Sequence, residues 1–405
     1  MNKILIIQPW IQLGGAELVS IHLAHTLRQR GHSVAVACTY LDPSGLPEKA
    51  LSLDYRLPPR PLADLCRRSR VFFLLFGYWL LLLTVIRSSR DVDFLNPHNF
   101  PSSWIAVLVG RIRRIPVIWT CNEPPQRLDW REASKIGLGD TIGWLLASSW
   151  LDRFLASRVE AVYVPSEMTR RQVQQLYGRD AEVVRLGVDG DLYSQNGQAA
   201  VPLGTDLAGK VVLLAVGKLH PQKNQIAAIR AVEQMLPTVP SLILLLAGDG
   251  PMRGEWAQYA ENHGLGSHVV FLGSVPHSDM PSLYSCCDIN LFTPINQSWG
   301  LTPFEALLMG KISVVSNDSG AAEVITNHGI GVVCEPSAVG AAERIAEILS
   351  EPERFRAMAI RGRDYVTKEL TWDRYADCFL RIAAQVEEGV VNQGRMSAQH
   401  GATSR

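Results

Sequence analysis

Two lysines lie in the stretch VGKLHPQKN, residues 216–224, which follows an apolar run and precedes a helical pattern. Lys218 and Lys223 are therefore expected at the carboxyl end of a strand, next to the start of a helix. Two ammonium groups at that edge suit a diphosphate, because they neutralise the negative charge that grows as a diphosphate leaves. The alternative is a pair of solvated lysines without a ligand.

A second candidate, Glu305, lies in the stretch QSWGLTPFEA, residues 297–306. Thr302 fits the N-cap of a helix, Pro303 its first position and Glu305 its third, which together form the pattern of a capping box. A helix that starts in this way leaves the preceding amides available to an anion. Capping alone, worth about 1 kcal/mol, is an alternative role for Glu305.

Glycine-rich turns occur where predicted strands are followed by predicted helices. The loop QLGGAE, residues 12–17, contains Gly14 and Gly15 between the first strand and the first helix. Ligands of doubly wound sheets bind at such helix N-termini. The turn AGDGP, residues 247–251, contains Gly248 in a similar setting, although this signal alone is weak. A tight turn without a ligand is the alternative for the first loop.

Composition and charge disfavour several classes of function. Lys and Arg (39) balance Asp and Glu (39), so nucleic acid is not expected as a partner. The first glycine loop is not Gly-x-Gly-x-x-Gly, and basic residues precede the second strand, which weakens a dehydrogenase interpretation. The seven cysteines are scattered and never spaced as Cys-x-x-Cys, which indicates reduced thiols in the cytosol.

Short β-branched runs alternate with helical patterns in both halves of the chain, which predicts an α/β protein. We expect two doubly wound, Rossmann-like domains facing a cleft. The predicted boundaries are residues 1–195 for the N-terminal domain, 206–370 for the C-terminal domain and 371–388 for a helix that returns to the first domain. Residues 389–405 are polar and rich in small residues, so a disordered tail is expected there.

Together these motifs resemble the retaining glycosyltransferases of family 4, also called group 1, which have the GT-B fold. The resemblance rests on GGAE, VGKLHPQKN, AGDGP, the stretch ending at Glu305, and SVVSNDSGAAEVI at residues 313–325. It extends from Met1 to about Val386 and depends on the order and spacing of the motifs. It implies transfer of a sugar from a nucleotide diphosphate donor to an acceptor, with retention of configuration.

The resemblance also implies roles for individual residues on the donor side. The counterpart of Glu305 holds the donor ribose, and those of Lys218 and Lys223 hold the diphosphate. Further donor-side positions are Gly14, Gly15, Gly248, Leu272, Gly300 and Leu301, of which the amides near the last two support the phosphates. We expect a UDP-sugar or GDP-sugar donor and no metal or other cofactor, because lysines and a helix N-terminus replace a divalent ion.

Two positions depart from the family pattern. The family has a second glutamate eight residues before Glu305, facing the transferred sugar, and here that residue is Gln297. Relatives often have histidine where Asn122 stands, and Asn122 is expected to position the acceptor without acting as a base. Both are nevertheless included in the candidate catalytic set. His98 and Glu123 are assigned to the acceptor side, with a purely structural histidine as the alternative for His98.

These departures keep two other functions open. One is a catalytically weak subunit that binds a sugar nucleotide or assembles a membrane complex. The other is a nucleotide-sugar epimerase of similar architecture, which would bind the diphosphate in the same way.

Sixteen uncharged residues lie between Val71 and Ile86, with arginines on both flanks. As a helix this segment would span about 24 Å, short of the roughly 30 Å hydrocarbon layer. An interfacial helix would favour a lipid-linked acceptor, or a growing polysaccharide, and a cytoplasmic location on the inner face of a membrane. A buried core helix and a true membrane span are the alternatives.

Overall fold

The computed structural model describes residues 1–124, 150–194 and 206–402. It forms two compact units. The first comprises Met1–Pro165, Thr169–Arg185 and the chain from Trp372 onward, and the second comprises Ser166–Met168 and Leu186–Thr371. Residues 196–205, which separate the two predicted domains and whose Gly, Ala and Pro content predicts a linker, lie outside the described part of the chain.

The first unit is built on parallel strands covered by helices. Its elements up to residue 183 are β1 (Lys3–Ile7), α1 (Gly15–Gln29), β2 (Ser33–Ala37), α2 (Glu48–Leu51), β3 (Asp54–Arg56), α3 (Arg60–Arg68), α4 (Arg70–Phe72), α5 (Tyr78–Ser88), β4 (Phe94–Pro97), α6 (Ser102–Arg113), β5 (Ile118–Thr120), α7 (Trp150–Ala156), β6 (Ala161–Val164), α8 (Glu167–Tyr177) and β7 (Glu182–Val183). The strand orders are β3-β2-β1-β4 and β5-β6-β7. Isolated bridges from Leu95 to Val117 and from His98 to Thr120 connect β4 to β5.

The second unit contains one larger parallel sheet. Its elements are α9 (Gly190–Ser194), β8 (Val211–Val216), α10 (Gln225–Met235), β9 (Leu242–Ala247), α11 (Arg253–Asn262), β10 (Val269–Gly273), α12 (Met280–Cys286), β11 (Ile289–Phe292), α13 (Thr302–Leu308), β12 (Ile312–Ser316), α14 (Gly320–His328), β13 (Val332–Cys334), α15 (Ala338–Ser350) and α16 (Pro352–Glu369). The strand order is β10-β9-β8-β11-β12-β13. Every residue of β9, β11 and β12 is buried, as expected for parallel strands covered on both faces.

The strand order reverses between β8 and β11, and we call this place the switch point. From β8 the chain adds β9 and β10 on one side, and it then restarts at β11 on the other side. Ligands of open α/β sheets bind at such a reversal, outside the carboxyl ends of the strands. The loops that follow β8 and β11 are therefore the expected location of a ligand site.

The last helix, α17 (Trp372–Ala402), belongs to the first unit. It continues through most of the residues for which we expected a disordered tail, so the backbone there is helical up to Ala402. No proline interrupts this stretch, and its alanine, glutamine, methionine and arginine residues favour a helix.

The apolar segment is a helix from Arg70 to Ser88 with a π-helical turn at Phe73–Gly77. By length and composition alone this helix could cross a membrane, and 28% of it is buried inside the protein. Leu81 and Val85 pack into the core of the first unit. Because most of the helix is not buried, the interpretation as a fully buried core helix does not fit the structure.

Two glycines in the turn after β9 lock it onto the loop after β8. Gly248 has φ +141°, a conformation that L side chains rarely adopt, and a Cβ there would collide with the carbonyl oxygen of Gly217. A Cβ on Gly250 would collide with the backbone of Leu219, whose amide lies 2.8 Å from the Cβ position. Leu219 N also donates to Asp249 O at 3.0 Å. The two loops thus touch backbone to backbone, and we call this contact the backbone interlock.

We expect Gly250→Ala to lower the free energy of unfolding by about 1–3 kcal/mol, because the new methyl group must displace the backbone of Leu219. Urea titration followed by circular dichroism measures the change. Gly254→Ala is the matched control, since Gly254 lies in α11 with nothing within 4 Å of its Cβ position. The control should be neutral or slightly stabilising, and equal destabilisation of both variants would contradict the interlock.

Candidate active site

Lys223 is held at the switch point by the residue that follows it. The loop after β8 contains a short 3-10 turn, Pro221–Lys223, and Asn224 then adopts a left-handed conformation with φ 52°. Asparagine tolerates this conformation better than most residues. Its Nδ2 donates to Thr293 O and to Pro336 O, each at 3.0 Å. The start of α10 is therefore fixed to the end of β11.

The side chain of Lys223 meets Gln297 at this point. Lys223 Nζ donates a hydrogen bond to Gln297 Oε1. Gln297 is buried. Its backbone N–H donates to Asp318 O at 3.0 Å, and its backbone carbonyl accepts from Gly320 N at 2.9 Å. The loops after β8, β11 and β12 thus converge on one lysine and one amide.

Lys218 has a different setting from Lys223. Its side chain is exposed, whereas that of Lys223 is half-buried. Gln225 Nε2 donates to the backbone carbonyls of Lys218 at 3.1 Å and of Gly217 at 3.3 Å. The backbone of this loop is therefore held in place while the ammonium group of Lys218 reaches solvent.

Glu305 does not cap its helix. Helix α13 begins at Thr302, its N-cap is Leu301, and no side chain caps the helix. The carboxylate of Glu305 instead accepts a hydrogen bond from the hydroxyl of Tyr284 at 2.8 Å. The capping-box prediction was wrong, because the buried carboxyl group turns toward α12 rather than back along its own helix.

The surroundings of Glu305 are apolar and acidic. Burial raises the pKa of Glu305 to about 7, the nearby Asp189 adds to the rise, and the hydrogen bond from Tyr284 opposes it. The ring of Tyr193 packs edge-on against Tyr284 at 5.9 Å between centroids. Asp189 itself lies 4.0 Å from Nε2 of His277. No sequence motif indicated these neighbours, which come from α9, α12 and the adjoining loops.

The remaining donor-side positions lie at starts of helices or ends of strands. Gly14 is the extended N-cap of α1, where a Cβ would collide with the carboxylate of Glu17, whereas a Cβ on Gly15 would meet nothing within 4 Å. Leu272 lies in β10 at an irregularity of the strand register. A Cβ on Gly300 would collide with the ring of Phe292. Gly300 is thus explained by close packing against an aromatic ring.

His98 belongs to a buried hydrogen-bond chain at the end of β4. Asn96 Nδ2 donates to Ile118 O at 2.6 Å and to Thr120 Oγ1 at 2.8 Å, which orients Asn96 Oδ1 toward His98 Nε2 at 2.8 Å. Thr120 Oγ1 donates in turn to the Tyr163 hydroxyl at 2.5 Å. Burial lowers the pKa of His98 to about 3, so the imidazole is neutral. It carries its proton on Nε2, and Nδ1 is a buried acceptor without a partner among the described residues.

Asn122 and Glu123 lie two and three residues after the end of β5. Both polar atoms of the Asn122 side chain are buried and make no hydrogen bond with the described residues. The side chain of Glu123 is exposed. An unsatisfied buried amide is costly, so Asn122 is the stronger candidate of the two for a ligand contact.

Asp91 and Asp93 form an Asp-x-Asp spacing in the first unit. Asp91 pairs with the ammonium group of Lys3, and the carboxylate of Asp93 accepts from Lys3 N at 2.7 Å. Both acids thus anchor the start of β1.

Comparison with known families assigns both halves of the chain. The model for glycosyltransferase family 4 matches residues 13–192, and the model for glycosyl transferases group 1 matches residues 206–365. The second match contains the Lys223–Gln297 contact and Glu305. The chain belongs to glycosyltransferase family 4. It is a retaining glycosyltransferase that uses a nucleotide-sugar donor, and its fold is GT-B.

Individual relatives of this glycosyltransferase are distant but match over long stretches. The human alpha-1,3/1,6-mannosyltransferase ALG2 is 23% identical over 95% of this chain and 96% of its own length. A GDP-mannose-dependent alpha-(1-6)-phosphatidylinositol monomannoside mannosyltransferase of Mycolicibacterium smegmatis is 25% identical over 58% of this chain and 65% of its own length. Among solved structures, Anabaena HepE in complex with UDP and glucose has a TM-score of 0.75 at 20% identity, covering 96% of this chain and 100% of its own.

The raised pKa of Glu305 predicts a pH-dependent stability. A carboxyl group whose pKa is higher in the folded enzyme than in the unfolded chain stabilises the fold fully below about pH 4.5. That contribution is lost as the pH rises to about 7, and it amounts to about 3 kcal/mol. We expect Glu305→Gln to remove this dependence, measured as the difference in unfolding free energy between the two proteins from pH 4.5 to pH 7.5.

Tyr284→Phe serves as the companion variant for this test. It removes the hydrogen bond that favours the ionised carboxylate, so the loss of stability should extend to higher pH than in the wild type. A constant difference between wild type and Glu305→Gln across this range would show that Glu305 does not titrate as described.

Proposed function

We propose that the enzyme binds the diphosphate of a GDP-sugar or UDP-sugar at the switch point of the second unit, with Lys223 as the principal cation. The contact between Lys223 and Gln297 supports this assignment most directly, because it holds a half-buried ammonium group where the strand order reverses. The side-chain amide of Gln297 is neutral, so this contact itself does not cancel the charge of the lysine. Lys218, exposed on the interlocked loop, adds a second charge.

The other donor-side residues have complementary roles in this proposal. The amides near Gly300 and Leu301 support the phosphates, and ionised Glu305 accepts hydrogen bonds from the ribose. Gly248 and Leu272 line the nucleotide. In the first unit, Gly14 and Gly15 form the remaining donor-side loop. Lysines and amides neutralise the leaving diphosphate, so the reaction needs no metal or other cofactor.

The transfer itself proceeds on one face of the sugar. The bond from the anomeric carbon to the leaving phosphate oxygen breaks, and a bond from that carbon to the acceptor oxygen forms on the same side. The proton of the acceptor hydroxyl passes to the leaving phosphate, so no protein base is required. Gln297 holds sugar hydroxyls by hydrogen bonds, and Asn122 positions the acceptor.

The acceptor is proposed to be a lipid-linked glycan, with the enzyme at the cytoplasmic face of a membrane. Two of its candidate polar contacts in the first unit are uncharged, since His98 is neutral and Asn122 is an amide without a hydrogen-bond partner among the described residues. Such groups suit hydroxyls better than anions. The apolar helix between Val71 and Ile86 supports a peripheral membrane contact. Similarity to a GDP-mannose-dependent mannosyltransferase favours GDP-mannose as the donor.

Calorimetric titration with GDP and with UDP, both without added metal, tests the donor assignment. We expect one of the two to bind, and we expect Lys223→Ala to weaken that binding by about ten- to a hundredfold, because a charged hydrogen bond to phosphate is lost. Lys210→Ala, an exposed lysine of the same unit, is the control and should bind as the wild type does. Binding that requires magnesium would refute the assignment. Equal affinities of Lys223→Ala and Lys210→Ala for the nucleotide would refute it as well.

Substitution of Gln297 tests whether the amide is functional or a decayed glutamate. In Gln297→Glu the new carboxylate would pair with Lys223 and compete with the diphosphate, so we expect nucleotide binding about tenfold weaker and no gain in turnover. Turnover is measured as nucleoside diphosphate released from GDP-mannose or UDP-glucose. Gln258→Glu on the exposed face of α11 is the control. A large gain in turnover would instead favour the catalytically weak binding or assembly subunit.

A further inference from the structure

The helix from Arg70 to Ser88 exposes a continuous line of large apolar side chains. Val71, Leu75, Trp79 and Leu83 follow one another at intervals of four residues, and Trp79 is 67% exposed. This spacing places them on one side of a helix. The opposite side contains Leu81 and Val85, which belong to the core. The helix is thus anchored by one face and leaves the other to solvent.

Apolar exposure continues onto two further helices, α6 and α7. Helix α6 packs against both α5 and α7. It exposes Leu108 and Ile112, four residues apart, with Ile112 65% exposed. Helix α7 exposes Trp150, at 78%, and Phe154. We call Leu75, Trp79, Leu108, Ile112, Trp150 and Phe154 the apolar face.

The three helices are tied together at their ends by arginines. Arg113 donates to Ile86 O at 3.4 Å, which connects α6 to α5. Arg111 donates to Arg158 O at 3.5 Å, and the guanidinium of Arg158 lies 4.3 Å from the ring centre of Phe154. These contacts engage only part of each guanidinium, and all three side chains are exposed. A positive border therefore accompanies the apolar face.

Asp152, an acid within this region, does not offset that charge at the surface. Asp152 of α7 is buried, and its two oxygens accept hydrogen bonds from Trp104 Nε1 at 2.7 Å and from the Tyr177 hydroxyl at 2.8 Å. Asp152 thus connects α6, α7 and α8 through buried hydrogen bonds. Buried hydrogen bonds of this kind hold helices in a fixed arrangement, so the apolar face is preformed rather than assembled on contact.

We propose that helices α5, α6 and α7 together form the membrane-docking surface of this enzyme, and that it recognises a bilayer containing anionic lipids. Aromatic and aliphatic side chains enter the boundary between headgroups and acyl chains, while the bordering arginines bind lipid phosphates. This deepens the proposed action on a lipid-linked acceptor by naming the surface and the lipid charge. Docking itself requires neither the donor nor the acceptor.

Two other occupants fit these observations less well. A second copy of the chain would bring like-charged arginine borders together, which is unfavourable. A membrane span would have to withdraw Leu81 and Val85 from the core, and it would leave Ile112 and Trp150 exposed in water. Shallow insertion of the whole face buries the apolar side chains without either cost.

Sedimentation with phosphatidylcholine vesicles, with and without added phosphatidylglycerol, tests the proposal on the full-length protein. We expect binding to the anionic vesicles, weakened by salt, and weaker binding to phosphatidylcholine alone. Leu108→Gln with Ile112→Gln, and separately Trp150→Gln, should each reduce the partition coefficient about tenfold or more. Arg111→Glu should reduce it about fivefold or more on anionic vesicles only. Ile360→Gln, an exposed isoleucine of the second unit, is the matched control.

Each outcome of this experiment decides the proposal. If the α6 and α7 variants bind vesicles as the wild type does, or if the wild type binds neither vesicle, the three-helix surface is refuted. Self-association that is lost in the same variants would point to a second copy instead. Nucleotide titration of the same preparations keeps the two proposals apart. Vesicle binding without nucleotide binding would refute the donor site alone, and the reverse would refute the docking surface alone.

Discussion

The reversal of strand order between β8 and β11 is the constraint on which the donor-side chemistry depends. Consecutive parallel strands are joined by crossover helices, and where two crossovers leave in opposite directions the carboxyl ends of two adjacent strands stay uncovered. The loop after one strand contains Lys223 and the loop after the other contains Gln297, so a contact between residues 74 positions apart becomes unavoidable. Neither loop has regular structure beyond a single turn, and each is instead held by its neighbours.

The electrostatics of the second unit follow from what is buried. Glu305 is enclosed by aromatic rings and lies near Asp189, so its negative charge is disfavoured until a ligand supplies donors. Lys223 contacts a neutral amide, so its positive charge is not cancelled by a carboxylate at that contact. A ligand that brings hydroxyl donors to Glu305 and phosphate oxygens to Lys223 therefore stabilises the charge of both side chains. The first unit, by contrast, has a neutral chain from Asn96 through Thr120 to Tyr163 at its sheet edge.

Much of the architecture was predictable because parallel strands and amphipathic helices leave strong periodic patterns, as in Ile4–Ile7 and the residues of α1. Lys218 and Lys223 could be placed at a sheet edge for the same reason. The orientation of Glu305 could not be predicted from the sequence. The capping pattern at Thr302 and Pro303 is local, whereas the hydrogen bond to Tyr284 joins residues 21 positions apart through tertiary packing. The extension of the apolar segment onto α6 and α7 was also hidden, since the packing of α6 against both α5 and α7 is a feature of the fold and leaves no local pattern in the sequence.

The backbone interlock between the turn at Gly248 and Gly250 and the loop at Gly217 and Leu219 has a consequence for how donor preference can change. A loop whose shape is fixed by main-chain contacts tolerates replacement of its outward side chains without refolding. Position 218 is such an outward side chain, so a substitution there changes the charge offered to the donor diphosphate without changing the shape of the loop. The glycines that fix the loop cannot be substituted in this way, because any side chain there would force the two turns apart.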